Sequence, residues 1–572
     1  MINRMTKKIL NYSLSALILI IFTSCSKDMG ALDPTYFSTN PNPLTLKGGK
    51  VEAKVTGKFP VKYFNKQATV TVTPVLKYAG GEVRGKAMTF QGEKVQGNST
   101  TITYQTGGNF SLPISFEYTP AMAVSELYLD FDVVQKKKEY TIPSIKVADG
   151  VIATENLVST DAGEMAPAIM PDAFQQTIQQ AQQADIMFLI NQADLRKTET
   201  QKETIVNLLN TIKDVQSAEN QTINRIDISG YASPDGSYDF NQKLAERREG
   251  ITVNFLNSQL KKFNATANID SKFTAEDWDG FQKLMEQSNI QDKDLILRVL
   301  SMYQDPEQRE SEIRKISTAF QTIAQDILPQ LRRSRMNIIV DVTGKSDDEI
   351  MQTASTNPSA LNVEELLYAA SLSDGPNVKE TIYKSVTDLF PNDVRGWNNF
   401  GAAQFALGKT DEAQKSLSKA ASINSNLPDV NYNLGLLSLA QGDNSNAVQY
   451  LSKAAGTTGN LNKALGTMYL TQGDYSKALT NYGADVSNNA ALVQILNNNY
   501  SAAQNTLNSI AQPTAKTSYL KAIVSARTND RDGVYNNLRQ TLQSDKDMAK
   551  KALTDVEFAK YFSDPTFLSI VK

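Results

Sequence analysis

The sequence predicts a multidomain α+β chain: an N-terminal antiparallel β-sandwich, a central α/β domain with a helical insertion, and a C-terminal α-solenoid of helical repeats. Three patterns predict it. Apolar and polar residues alternate through residues 45–148, the period of half-buried strands. Strand and helix periodicities take turns between 184 and 345. Beyond residue 390 a glycine and alanine pattern returns about every 34 residues, the signature of a stacked repeat. At roughly 100–200 residues per domain, 572 residues give room for all three.

In the first domain, Val70 and Val72 alternate with Thr69, Thr71 and Thr73, and Leu127, Leu129, Phe131 and Val133 alternate with Tyr128, Asp130 and Asp132. Gly80-Gly81, Gly107-Gly108 and Lys136-Lys137-Lys138 read as turns between strands. Asp130 and Asp132 share a face and read as solvated. This part is expected to be a spacer or a docking module.

A linker follows at 149–183, with a Met/Pro/Ala stretch at 158–172. The α/β domain is placed at 184–345. Ile186, Phe188 and Ile190 suggest a strand. Ile205, Leu208, Leu209 and Ile212 fall at helical spacing. Ile226 and Ile228 suggest a second strand, and Met336 to Val342 a last one. The stretch at about 257–328, with Trp278 and the charged run from Arg309 to Lys315, reads as a helical insertion. Arg332, Arg333 and Arg335 read as a solvated strand entrance.

Composition excludes several kinds of chemistry. The chain has 58 Lys+Arg against 61 Asp+Glu, a net charge of −3, which lacks the basic excess of a nucleic-acid-binding surface. It has 0 His, which removes the commonest general base and metal ligand. Its 1 Cys allows neither an internal disulfide nor a thiolate metal cluster. No Gly-rich phosphate loop follows a strand, and no carboxylate pair stands apart from solvated surface. No enzyme activity, no cofactor and no metal is expected.

The N-terminus reads as an export signal. Arg4, Lys7 and Lys8 form a basic start, and Leu14 to Phe22 is an apolar run broken only by Ser15. A membrane span needs about 20 apolar residues, so this run is too short to remain as one. Phe22-Thr23-Ser24-Cys25 resembles a bacterial lipobox. That resemblance implies a lipoprotein signal peptide at 1–24, acylation of Cys25 by chains such as palmitate, and a tether at 25–44. Two or three acyl chains at about 0.8 kcal/mol per buried CH₂ make a lasting anchor. Ser26-Lys27-Asp28 fits onward transport to the outer membrane by resemblance to known lipoproteins, and Lys27-Asp28 resembles the surface-export tag of Bacteroidota lipoproteins.

The loop Gly230-Tyr231-Ala232-Ser233-Pro234-Asp235-Gly236, followed by Asn241, Leu244 and Arg248, resembles the OmpA-like periplasmic domain, in its Bacteroidota-type versions with an insertion. In that family a loop aspartate pairs with the ammonium of a peptidoglycan diamino acid, and a helix arginine pairs with its carboxylate. The resemblance implies Ser233, Asp235, Asn241 and Arg248 as a candidate peptidoglycan or partner site. Arg248 and Asn241 match the family positions. The aspartate position holds Ser233, which offers a hydroxyl without a charge.

The C-terminal part, 346–572, carries Phe400-Gly401, Ala413, Leu417 and Ala420, then Leu434-Gly435, Ala447, Leu451 and Ala454, then Leu465-Gly466, Ala478 and Tyr482. Gly408, Gly442 and Gly473 mark turns within the copies. These residues resemble tetratricopeptide (TPR) repeats, with weaker copies on either side. The resemblance implies a curved stack whose first helices line a concave protein-binding groove. Asn398, Asn399, Gln404, Asn431, Asn433 and Tyr469 are the candidate groove residues, suited to hydrogen-bonding a peptide backbone.

Together these features lead to the expectation of an outer-membrane-anchored scaffold lipoprotein, facing the periplasm. It would recruit other envelope proteins through its TPR repeats, as a subunit of an assembly, secretion or fimbrial machine, and touch peptidoglycan through its OmpA-like domain. A surface-exposed binding or adhesion lipoprotein is the alternative, and no nucleic-acid partner is expected.

Overall fold

The structure, a computed structural model, describes residues 28–572; the expected signal peptide and Cys25 lie outside the described residues. The described residues up to Pro171 join Ser373–Lys572 in one compact unit, and Asp172–Leu372 form a second. Among the described residues, no helix is long and apolar enough to cross a membrane.

Eleven strands build the first domain: β1 (Phe37–Asn40), β2 (Leu44–Lys47), β3 (Lys50–Phe59), β4 (Ala68–Tyr78), β5 (Gly81–Arg84), β6 (Met88–Gly92), β7 (Thr100–Ile102), β8 (Gly108–Glu117), β9 (Ser125–Gln135), β10 (Lys138–Asp149) and β11 (Val151–Ile152). One sheet runs β1-β3-β2-β11, with β8 also on β3; the other runs β10-β9-β4-β6-β7, with β5 on β4. The alternation decides which residues face inward. Val70 and Val72 of β4 and Leu127, Leu129, Phe131 and Val133 of β9 share one core with Val51, Val55 and Phe59 of β3 and Phe110, Leu112, Ile114 and Phe116 of β8. Most pairings are antiparallel, as expected, but β6–β7 and β2–β11 are parallel. Residues 28–44 are not a free tether. Met29, Leu32 and Leu44 enter this core, and β1 pairs with β3, because the sandwich would otherwise leave apolar surface open at that edge.

The second unit holds β12 (Thr177–Met187), β13 (Gln221–Tyr231), β14 (Ile269–Thr274) and β15 (Arg333–Thr343), ordered β12-β15-β13-β14. Helices α1 (Glu203–Val215) and α2 (Tyr238–Lys262) supply Ile205, Leu208, Ile212 and Leu256 to a core shared with Ile186, Ile226, Ile228 and Ile338. Two boundaries differ from the sequence reading. Strand β12 begins inside the stretch read as linker, and ends before Leu189 and Ile190, which are exposed. Its polar first half is specified by pairing with β15 from Thr177 to Met187, not by apolar alternation. The insertion does not begin near 257, because α2 runs to Lys262 and the chain then returns to the sheet as β14, parallel to β13. The inserted helices α3 (Trp278–Gln287), α4 (Lys293–Met302) and α5 (Pro306–Lys315) have their own small core around Phe281, Met285, Ile296 and Ile313. Residues 346–372, read as the start of the repeats, fall in this unit as α6 (Asp347–Thr356) and α7 (Val363–Ser371).

From Ser373 the chain is a stack of helices: α8 (Pro376–Leu389), α9 (Val394–Ala406), α10 (Thr410–Ile423), α11 (Pro428–Ala440), α12 (Asn444–Leu451), α13 (Leu461–Thr471), α14 (Tyr475–Tyr482), α15 (Asn488–Leu496), α16 (Tyr500–Ser509), α17 (Ala515–Arg527) and α18 (Arg531–Ser544), then a short tail that ends in α19 (Pro565–Val571). Gly401 and Gly435 sit where paired helices touch. A Cβ at Gly401 would meet Leu417 Cγ at 2.7 Å, and one at Gly435 would meet Leu451 Cδ2 at 2.6 Å. The turn within each pair needs a left-handed residue. Gly408, Gly442 and Gly473 hold φ of +73°, +74° and +75°, and Asn498 and Asn529 take over the same role at 60° and 61°. Those two asparagines mark the degenerate copies. Tail residues Phe558, Tyr561 and Phe567 cover the last apolar face.

Candidate functional site

The first helices of successive pairs, α9, α11, α13, α15 and α17, carry the polar residues that face a peptide. Asn399 and Asn433 each stand two residues before the contact glycine of their copy, so the repeat places them on the same face one above the other. The structure shows what they hold: residues 158–171 of the chain itself. The Asn399 carboxamide accepts from the Met170 N–H and donates to the Met170 carbonyl, both at 2.8 Å. Asn433 does the same to Ala168, again at 2.8 Å for both bonds. Asn489 on α15 does so to Ser159, at 2.9 and 2.8 Å.

Further contacts fill the intervals. Asn398 donates to the Ala168 carbonyl at 3.2 Å and, through its own oxygen, accepts from Asn433 at 3.0 Å. Tyr432 donates to the Ala166 carbonyl at 3.2 Å, and Thr458 to that of Ile169 at 3.2 Å. Lys516 donates to the Ser159 hydroxyl, and burial lowers the pKa of this lysine. Lys463 lies 3.6 Å from Glu164. Met165 and Ala168 are buried and join the core of the repeats. This segment, the strap, follows a turn whose Glu155 accepts from the backbone N–H of Gly48 and Gly49 and from the Tyr475 hydroxyl. The stretch read as a linker is therefore fixed from Thr154 to Met170. Its small and apolar side chains pack on the groove, and the backbone groups of Ser159, Ala168 and Met170 are paired there by asparagines.

Of the six candidate groove residues, Asn398, Asn399 and Asn433 lie on the strap. Gln404 instead accepts from Ser416 at 2.7 Å within its own helix pair. Asn431 donates to the carbonyls of Ser425 and Leu427, closing a local turn. Tyr469 packs at the edge of the repeat core, with Lys477 over its ring. Sequence reasoning missed Tyr432, Thr458, Asn489 and Lys516. Asn489 had a faint signal: it precedes Ala491 by two, as Asn433 precedes Gly435, but in a copy where alanine has replaced the glycine.

The loop of the second unit is built differently from the expectation. Arg248 is fully buried. Its guanidinium donates to the backbone carbonyls of Gln192 (3.0 Å), Tyr231 (2.8 Å) and Leu189 (3.1 Å), so it staples the loop to the end of β12. Burial, helped by the nearby Arg332 charge, lowers its pKa to about 10. Asn241 donates to the Gly236 carbonyl at 3.1 Å and holds the loop to the start of α2. Ser233 donates to Asp235. Arg332 pairs with Asp235 at 3.0 Å and donates to the Ser233 hydroxyl at 3.2 Å. The arginine run is thus no solvated entrance. Arg332 is paired with Asp235, Arg333 with Asp277 at 2.7 Å, and Arg335 with Asp185 at 2.9 Å. Arg332 precedes β15 and Arg333 and Arg335 open it, and all three meet carboxylates from neighbouring elements, which the local charge pattern does not reveal.

Residues 394–427 and 428–458 match the tetratricopeptide-repeat family model. Among curated proteins, none matches the chain. Solved structures similar to it include a tetratricopeptide repeat protein from Parabacteroides merdae, at 13% identity over 37% of this chain and 91% of that one, with a TM-score of 0.30. PilF of Pseudomonas aeruginosa is 15% identical over 38% of this chain and 99% of its own, with a TM-score of 0.29. PilW, described as a type IV pilus biogenesis factor, is 15% identical over 40% and 100%, with a TM-score of 0.27. The helices of residues 394–458 are TPR repeats, a class of array that generally mediates protein–protein interaction.

Proposed function

We propose that this chain is a non-catalytic scaffold of the bacterial envelope, anchored to the outer membrane by acylation of Cys25 and recruiting other envelope proteins through its TPR repeats. The carboxamide clamps of Asn399, Asn433 and Asn489 carry the protein-binding part, because they are built to hold an extended backbone by both of its polar groups. The lipid anchor rests on Cys25, the sole cysteine, which directly follows a basic start and a short apolar run. Membership of an assembly, secretion or fimbrial machine belongs to the same reading.

Contact with peptidoglycan through the OmpA-like region is part of the proposal. The strand–helix–strand–helix order with a returning last strand supports it. Ser233 in the aspartate position and Arg332 already paired with Asp235 weigh against a free anionic clamp.

In-cell crosslinking of the wild-type chain and of Cys25→Ser, with labelled palmitate, tests the reading. Label on the wild type alone, together with defined envelope partners crosslinked to residues 373–572, is the expected result. An unlabelled mature wild type would remove the anchor, and a chain that crosslinks to nothing would remove the scaffold.

A further inference from the structure

Residues 158–171 lie in the TPR groove as a ligand would. The contacts are made to backbone groups at Ser159, Ala168 and Met170, each embraced by one asparagine. Only a few side chains point inward: Met165 and Ala168 are buried, while Ala166 and Ile169 face out. Pro167 and Pro171 stand where no N–H is taken, so they favour the extended form without losing a bond. Glu164 meets Lys463 and accepts from the backbone N–H of Asn489 at 3.3 Å.

The register of strap and repeats agrees even where a rung is missing. The third copy has Ala464 in the position of Asn399 and Asn433, two residues before Gly466. On the strap, the interval between the Ser159 and Ala168 clamps contains a turn closed by Asp161, which accepts from the N–H groups of Gly163 (2.9 Å) and Glu164 (3.1 Å). A backbone that satisfies its own donors needs no asparagine there.

We infer that the groove is a recognition site for extended peptides, that residues 158–171 are its resident occupant in cis, and that a partner segment of the same chemistry replaces them. That chemistry is a proline followed by a small residue at the Asn433 clamp, with a carboxylate four positions before the small residue to meet Lys463. The inference rests on the repeats being a protein-binding array and names what that array accepts. The clamps read backbone and tolerate sequence; selectivity comes from the closed space around Ala168 and from Met165. A tethered occupant competes at an effective concentration in the millimolar range, so the intact chain takes up a free peptide weakly.

The test uses the full chain with residues 158–171 replaced by a Gly/Ser stretch of equal length, and a fluorescein-labelled synthetic peptide of residues 158–171 read by anisotropy. The replaced chain is expected to bind the peptide saturably, at least tenfold more tightly than the intact chain does. Adding Asn433→Ala, or using a peptide with Ala168→Trp, is expected to weaken binding at least tenfold. Equal binding by intact and replaced chains, or indifference to both substitutions, overturns the inference. If the replaced chain does not fold alone, it is refolded with saturating peptide: recovery of a cooperative unfolding transition is expected, and no recovery overturns the inference. Crosslinked partners in cells without peptide binding would remove the exchange and leave the scaffold standing. Tight, clamp-dependent peptide binding without any crosslinked partner would remove the scaffold instead.

Discussion

The Asn433 carboxamide and the backbone of Ala168 are joined by two hydrogen bonds of 2.8 Å across a separation of 265 residues. The pair ties the exit of the β-sandwich to the middle of the repeats and turns a nominal linker into part of the core. Neither residue's local sequence announces the other.

Replacing Asn433 with Ala strands the buried Ala168 N–H, while the Ala168 carbonyl keeps its bond from Asn398. A loss of about 1–3 kcal/mol is expected, the cost of one stranded buried group. Asn399→Ala should cost less, because Met170 is only half-buried and water can reach it. Denaturant midpoints and hydrogen exchange at the Ala168 and Met170 amides would measure both; equal losses would contradict the difference in burial.

The turn glycines and the contact glycines should respond in opposite ways to small substitutions. Gly442→Asn should be nearly neutral, because Asn498 and Asn529 already hold that left-handed conformation and a Cβ at Gly442 meets nothing within 4 Å. Gly435→Ala should cost about 1–3 kcal/mol by overpacking against Leu451. Thermal unfolding of the two variants side by side checks the ordering.

Arg248→Ala should destabilise the Asp172–Leu372 unit by at least about 3 kcal/mol, since it leaves a cavity and three carbonyls without their charged donor. Wall-binding assays that use this variant would report unfolding, not recognition. Asp235→Ala is the informative variant for sacculus pull-down, with circular dichroism confirming that it stays folded.

Acid should loosen the end of the array. The Tyr535 hydroxyl, aided by the backbone N–H of Phe567, the Arg531 guanidinium and the N–H of Thr566, lowers the Asp564 pKa from 3.8 to about 2. A depressed folded pKa means that the stabilisation is present above about pH 4 and fades as pH falls towards 2. Asp564 also caps α19, so hydrogen exchange in Pro565–Val571 should rise over that window in the wild type. In Asp564→Asn it should already be raised at neutral pH and change little with acid.

Much of the fold was legible because its causes are local. The inward-facing residues of β4 and β9 follow from alternation alone, and the helix pairs follow from Gly401, Gly435 and Gly466 recurring beside Ala413, Ala447 and Ala478. The return of the chain as β14 was not legible. Ile269–Thr274 is mostly polar and exposed on an edge, so it carries no apolar period and is specified by its hydrogen bonds to β13.

The sequence by itself determined the order of sandwich, α/β region and TPR stack, and it put asparagines on the faces that meet a peptide, because spacing along one helix or strand sets which side chains share a face. Only the tertiary structure decided what those asparagines hold, that Arg248 is spent inside the loop it was expected to serve, and that Arg332, expected at a solvated strand entrance, pairs with Asp235 of that loop. Such pairings join backbone carbonyls, amides and charges far apart in the chain, and a group that seeks any suitable partner leaves no mark in the sequence of which one it finds.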